Sequence, residues 1–239
     1  MAVVASCPHA FYRGLRLMAM DGSNFEVLDE PDNIAAFGYP GSRTGVAGYP
    51  QAQCAVLVGC ATHAIVGVNI GAYRDAEWTV CKPLLARLDA SMLCMADRGF
   101  NDVANGDETR YRLLTTLLDA EHAPALELAA LYHERWEVES VFDELKTHLH
   151  QRRRVLRSKK ADLVRQEFYG WVLAHYAVRW LMHSAGSAHE VEPRRLSFVA
   201  NVQLLRRAQP SPGPFPPVRP ILRKRWFAQV LAQAASSSD

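Results

Sequence analysis

Apolar positions come in short runs over the first half of the chain and at helical spacing over the second. "LRLMAM" (Leu15–Met20) is a continuous apolar run that stops at "DGS", the pattern of a buried strand ending in a turn. "CAVLVGCATHAIVGVNIG" (54–71) gives two strand-like runs about a Thr-His turn and predicts a hairpin. "DAEWTVCKPLLARL" (75–88) has helical periodicity, with Pro83 set to kink it or start a new turn. "SMLCMAD" (91–97) is a further apolar run ending at an acid, and "RYRLLTTLL" (110–118) reads as another strand. A long helix is expected from about Ala123. Past Gln151 the pattern is helical, with one long amphipathic segment (161–185) and a shorter one (196–208). The order strand, hairpin, helix, strand, strand, helix predicts a mixed α/β sheet with helices packed on it.

The connections are plainer. Residues 38–50, "GYPGSRTGVAGYP", are Gly-rich but match no phosphate-binding or dinucleotide fingerprint, and read as a loop. Residues 209–220 are Pro-rich and expected to be extended or disordered, followed by the basic "ILRKRW". There is no internal repeat.

Charge changes this picture. The net charge of +2 on 239 residues hides two opposed halves. Residues 1–149 carry 11 Lys+Arg against 20 Asp+Glu, and residues 150–239 carry 16 against 5. An acidic front with a basic back suggests a metal-binding acidic site beside a polyanion-binding surface. The five cysteines form no CxxC pair and fit reduced, mostly buried thiols. No stretch resembles a signal peptide. The longest apolar segment, Phe168–Met182, holds His175 and Arg179 and is too short to span a bilayer. His148 and His150, two apart, fall on different helix faces and read as surface or local contacts instead of a zinc pair.

Candidate chemistry concentrates in "YHERWEVESVFDELK" (Tyr132–Lys146). At about 100° per residue, Tyr132, Arg135, Glu139 and Lys146 share one stripe roughly 60° wide. Val138, Val141, Phe142, Leu145 and Leu149 gather on the adjoining core face, and Glu134, Glu137 and Glu144 are expected to point to water. The stripe is either a solvated, salt-bridged helix surface with Arg135 and Glu139 as an i,i+4 pair, or a cleft wall. Trp136 and Asp143 read as packing or surface residues.

Two aspartates follow apolar strands, Asp21 after "LMAM" and Asp97 after "LCMA". Acids at the carboxyl ends of strands sit where α/β sheets bind ligands. Convergence of Asp21, Asp97 and Glu139 would call for divalent metal, and hard oxygen donors suit Mg²⁺. Two such ions would clamp an in-line phosphoryl displacement. Each acid taken alone is equally a turn former or an ion-pair partner.

The spacing Tyr132-x2-Arg135-x3-Glu139-x6-Lys146 resembles, at every interval, the Y-R-E-K signature of the IS-four family of bacterial insertion-sequence transposases. "MDGS" around Asp21 is similar to that family's first-aspartate block, and "ADRGF" (96–100) to its second. "LRSKKADLVRQEFYGWVLAHYAVR" (156–179) resembles the helical block after the signature. The resemblance implies a ribonuclease H-like mixed sheet flanked by helices, with a helical C-terminal extension. It implies a DDE triad of Asp21, Asp97 and Glu139 holding Mg²⁺, two ions by expectation, with Mn²⁺ able to substitute. The reaction implied is metal-dependent DNA strand cleavage and transfer. Tyr132, Arg135 and Lys146 would grip phosphate of the element-end strand. Arg152, Arg153, Arg154, Arg157, Lys159, Lys160 and Arg165 form a basic cluster suited to DNA backbone, or otherwise a solvated charge run. The partners implied are double-stranded DNA, at element ends and target, and a second copy in a homodimer on DNA. No membrane and no small-molecule cofactor are expected, and the location implied is the bacterial cytoplasm at the nucleoid.

The pattern departs from the family in two places. Asp21 lies near the first residue, so the N-terminal end-recognition domain is expected to be absent. Only 42 positions separate Asp97 from Glu139, so the β-rich insertion of the family is expected to be deleted near 101–109. The expected division is a catalytic core over 1–150, a basic helical extension over 151–207 and a tail over 208–239. Three functions remain open: a transposase, active or inactive through truncation; a catalytically dead DNA-binding remnant or inhibitor of an intact transposase; and a metal-dependent nuclease.

Overall fold

The computed structural model describes residues 10–41, 48–96, 117, 119–149, 155–189, 191 and 195–208. One long strand organises them. β2 (Leu15–Val27) follows the two-residue β1 (Phe11–Tyr12) through a tight turn in which Arg13 and Gly14 take positive φ of 50° and 83°. β2 does not stop at Asp21-Gly22-Ser23, as the sequence suggested. It runs on to Val27, because β3 (Gln51–Gly59) pairs with it antiparallel from Met18 through Glu26. Phe25 and Val27 resume the buried alternation after the polar interruption. Asp21 therefore sits in mid-strand instead of at a strand end.

The predicted hairpin is present, as β3 and β4 (Ile65–Ala72). Its turn closes through the Gly59 N–H on the Ala64 carbonyl, with His63 at φ 54°. β5 (Met92–Ala96) lies parallel to β2, in register from Arg16–Met92 to Met20–Ala96. Residues 18–20 thus pair with β3 on one edge and β5 on the other. β6 (Val155–Leu156), a strand the helical pattern past Gln151 concealed, lies parallel to the far end of β2. The result is a mixed six-stranded sheet of ribonuclease H-like type, flanked by helices.

α1 (Pro31–Phe37), also unforeseen, starts on a proline that fits a first helical turn. It serves the second half of the chain. Asp32 accepts from the Ala161 N–H at 2.7 Å and caps α5 (Ala161–Ala188) from outside, while Asn33 donates to the carbonyls of Leu28 and Ser158. α5 lays Val164, Phe168 and Val172 into the same apolar core as Ala19, Phe25 and Val27 of β2. α6 (Phe198–Ala208) closes a satellite cluster with Val178 and Met182 of α5. On the opposite face of the sheet, α2 (Glu77–Cys81) gives way at Pro83 to a 3₁₀ stretch, Lys82–Arg87, as the proline requires. Val80, Cys81 and Leu84 cover Met18, Met20 and Leu57 there.

The signature helix is one continuous run of changing pitch. α3 (Ala125–Tyr132) leads to a 3₁₀ turn (His133–Trp136), then α4 (Glu137–Asp143), then a π-helical stretch (Glu144–Leu149). Val138, Val141 and Leu145 are fully buried and Phe142 nearly so, as their spacing predicted. "RYRLLTTLL" falls almost wholly outside the described residues, as do His150, the Pro-rich segment and the basic tail. No helix among the described residues is long and apolar enough to cross a membrane.

Candidate functional site

Strand period two puts Leu17, Ala19, Asp21, Ser23 and Phe25 on one face of β2, and the signature helix crosses that face. Three of the four stripe residues, Tyr132, Arg135 and Lys146, meet the sheet there in sequence order. The Tyr132 hydroxyl donates to the carbonyl of Ala96, the last residue of β5, at 3.3 Å. Arg135 Nη1 donates to Asp21 Oδ2 at 3.3 Å, and its Nη2 lies 3.8 Å from Glu139 Oε1. Lys146 Nζ donates to Ser23 Oγ at 2.5 Å and stands 4.9 Å from the centre of the Phe25 ring. The stripe therefore turns three of its residues to the strands, while Glu139 reaches Arg135 as an i,i+4 pair. The change of pitch along the helix does not disperse it.

Arg135 joins two of the expected carboxylates. Its side chain is 9% exposed, against 17% for Asp21 and 46% for Glu139. The guanidinium is thus buried and ion-paired, with Tyr132 and Trp136 rings on either side at 5.6 and 5.8 Å. Desolvation lowers the Lys146 pKa, with the Cys54 thiol opposing. On the other face of β2, Gly22 leaves room for Glu77 of α2: a Cβ there would lie 2.5 Å from Glu77 Oε1. Glu77 is a carboxylate close to Asp21 in the chain fold that no sequence motif marked.

The third expected acid, Asp97, lies outside the described residues, as do Arg152, Arg153 and Arg154. Met20 and Ala96, a paired couple, immediately precede Asp21 and Asp97 in sequence. Among the described residues no group of three His, Cys, Asp or Glu side chains is arranged to hold a metal ion. In the basic cluster, Arg157 and Lys160 are exposed, Lys159 is ion-paired to Glu30 at 3.2 Å, and Arg165 to Asp162 at 3.1 Å. Trp136 is on the surface, and Asp143 pairs with His148 at 3.0 Å. The four described cysteines are free. Burial pushes the Cys81 and Cys94 thiols up to about 12, so neither is a thiolate at neutral pH.

A second polar cluster was not foreseen. Glu144, expected to face water, is buried at the start of the π-helical stretch. Its carboxylate takes the Arg179 guanidinium, whose Nε is 3.0 Å from Oε2, and His175 Nε2 at 2.7 Å. Arg179 Nη2 also reaches His63 Nδ1 at 2.5 Å, and His63 Nε2 meets Glu137 at 2.5 Å. Since Arg179 donates to Nδ1, the His63 proton belongs on Nε2, facing the Glu137 carboxylate. So Glu137 does not face water either. Burial takes the His175 pKa down to about 3, with His63 adding to the effect. Burial likewise lowers that of Arg179 to about 10, with Glu137 opposing. One sequence signal could have found this cluster. His175 and Arg179, four apart, interrupt the apolar face of α5 between Val172 and Met182, and buried polar groups there require a partner.

Residues 102–177 match the family described as transposase DDE domain. The chain is also similar to the transposase InsG for insertion sequence element IS4 of Escherichia coli (strain K12). The two are 25% identical over 307 positions, which cover 95% of this chain and 70% of that protein. No solved structure matches the chain. The sheet and these matches support a DDE transposase, a class that cuts and joins DNA strands and depends on divalent metal. The two matches support a bacterial insertion-sequence transposase similar to that of IS4.

Proposed function

We propose that the chain processes the ends of an insertion sequence with Asp21, Asp97 and Glu139 as metal-holding acids. The observation that carries this reading is Arg135 between Asp21 and Glu139, at 3.3 and 3.8 Å. Two carboxylates brought to one guanidinium form a locus that needs positive charge, and their hard oxygens fit Mg²⁺ or Mn²⁺. Bound in pairs, such ions would activate water and stabilise the leaving oxygen. The chain's own groups do the rest. Arg135 neutralises the acids in the ion-free site, and its fork suits a phosphate when the acids are otherwise neutralised. Lys146 adds a positive charge beside Ser23, and Tyr132 fixes the wall to the end of β5. Arg152, Arg153, Arg154, Arg157, Lys159 and Lys160 would neutralise DNA backbone outside the cleft. The working form is a homodimer on double-stranded DNA, at the nucleoid.

A second reading is a DNA-binding remnant that no longer cleaves. What favours it is the alignment with the IS4 relative, which at 307 positions is longer than this 239-residue chain. At least one internal stretch of that protein therefore has no counterpart here, in keeping with a lost β-rich insertion near 101–109. The deciding experiment presents the full chain with duplexes bearing the element's terminal repeats, in Mg²⁺ or Mn²⁺. Specific nicking at the repeat ends, abolished by Asp21→Ala, Asp97→Ala or Glu139→Ala with DNA binding kept, supports the transposase. Binding without any cleavage supports the remnant. Cleavage that ignores the ends supports a nuclease.

A further inference from the structure

α5 buries one face and leaves another bare. Tyr169, Leu173, Tyr176 and Trp180 are 41, 68, 50 and 52% exposed. Their spacing of four, three and four residues aligns them within about 60° along roughly 17 Å of helix. This is the spacing of a coiled-coil seam, four successive positions long, and among the described residues no second helix lies on it. The residue beside it, Gly170, has open space where a side chain would stand, and Ala174 is exposed and small. A second backbone can approach there closely.

The seam is also uncharged. From Phe168 to Ala188 the helix carries no Asp, Glu or Lys, and its one Arg, Arg179, is buried on Glu144. Charges beside a heptad seam select a different partner or an orientation, and here none does so. An uncharged seam meets its own copy across a twofold axis without like-charge repulsion. Area points the same way. A large side chain offers roughly 150–250 Å² when free, so four half-exposed ones leave roughly 400 Å² per chain. That is the size of the largest apolar patch on a typical monomer, one that is often functional, and two copies would bury roughly 800 Å² from the seam alone. With the flanking small residues the total comes to about the 1,000 Å² at which specific interfaces begin.

We infer that two copies of this chain pair through α5, with Tyr169, Leu173, Tyr176 and Trp180 of each packed against the same residues of the other. This deepens the homodimer reading above and rests on it only for the number of copies. The test is sedimentation of the full chain up to about 100 μM, with and without a duplex, beside Leu173→Glu and Trp180→Glu. A wild-type dimer whose self-association weakens at least about 100-fold in both variants supports the inference, and Leu173→Met should stay dimeric. Thermal melts at a concentration too low for the wild type to dimerise keep it falsifiable, since both positions are on the surface and the variants should there melt with the wild type. Variants that dimerise like wild type would move the interface elsewhere and leave the homodimer reading standing. A wild-type chain monomeric at every concentration, with and without duplex, would sink both. So would a monomer in which deleting 209–239 newly exposes Trp180, since the tail would then be the occupant.

Discussion

Two polar clusters flank the signature helix, and they are built on opposite terms. Arg135 with Asp21 and Glu139 lies where β2 meets the cleft, with Glu139 nearly half exposed. Glu144 with His63, His175 and Arg179 lies under α5, and all four side chains are at most 9% exposed. In the first, one cation is shared by two acids at long distances. In the second, one acid is surrounded by donors at short ones. A site that must admit ions and phosphate keeps its charges under-satisfied and near water. A cluster that fixes the fold pairs its buried charges, because a buried charge left alone is costly. Residues five apart on one helix, Glu139 and Glu144, thereby have different work.

The sharpest way to break that contrast is to truncate both. Glu144→Ala leaves Arg179 buried without its carboxylate and should cost about 3–5 kcal/mol in denaturant unfolding. Glu139→Ala removes a half-exposed partner of one long ion pair and should change stability by under about 1 kcal/mol. Equal losses in the two variants would erase the distinction. Glu144 also opens the π-helical stretch that carries Lys146 to Ser23, so its loss should weaken DNA binding with no change at Lys146 itself.

Acid should separate the clusters next. His175 has its folded pKa near 3, below the ordinary 6.5, chiefly through burial. Its Nδ1 is buried with no hydrogen-bond partner, so a proton there would gain nothing. The unfolded chain therefore takes up the proton first. The contribution of His175 is whole above pH 6.5 and is lost as the pH falls toward 3, at about 1.4 kcal/mol per unit. His175→Gln should flatten that part of the stability profile whatever it does to the absolute level. An unchanged slope would remove His175 as its source.

The two clusters also differ in how much the sequence disclosed. Periodicity places Tyr132, Arg135, Glu139 and Lys146 on one stripe because all lie in one helix, where 3.6 residues per turn is a strong constraint. It survives 3₁₀ and π turns because the buried Val138, Val141 and Leu145 hold the adjoining face. Apolar runs likewise gave β3, β4, β5, α5 and α6. The buried cluster needed three parts of the chain far apart in sequence, the β3–β4 turn, the signature helix and α5, to be known at once, and a Glu on a helix reads as solvated until its partners are seen. β2 was cut short for a related reason. Asp-Gly-Ser is turn chemistry locally, and only the nine-residue pairing with β3 overrides it.

A third measurement sharpens the reading of the open cluster. Arg135 is the positive charge that Asp21 and Glu139 share, so it competes with any divalent ion for them. Arg135→Gln should bind Mn²⁺ several-fold more tightly than wild type by calorimetry, and the ion should raise its melting temperature more. Removing Arg135 also strips the partly buried Asp21 of a partner, at about 1–3 kcal/mol. Weaker Mn²⁺ binding in the variant would mean that Arg135 supports the ion site instead of standing in for the ion.

The smallest effect concerns the surface. Lys159 is 75% exposed and pairs with Glu30 at 3.2 Å. Such a pair contributes between zero and about 1 kcal/mol, so Lys159→Ala should leave the unfolding midpoint almost where it was. Its role on DNA is separable from that. If Lys159 neutralises one phosphate, the variant loses about one unit of slope in log affinity against log salt, with the same loss on any duplex sequence. A slope equal to wild type would mean that Glu30 keeps this lysine from the backbone. The exposed Arg157 and Lys160 on either side would then carry the basic surface without it.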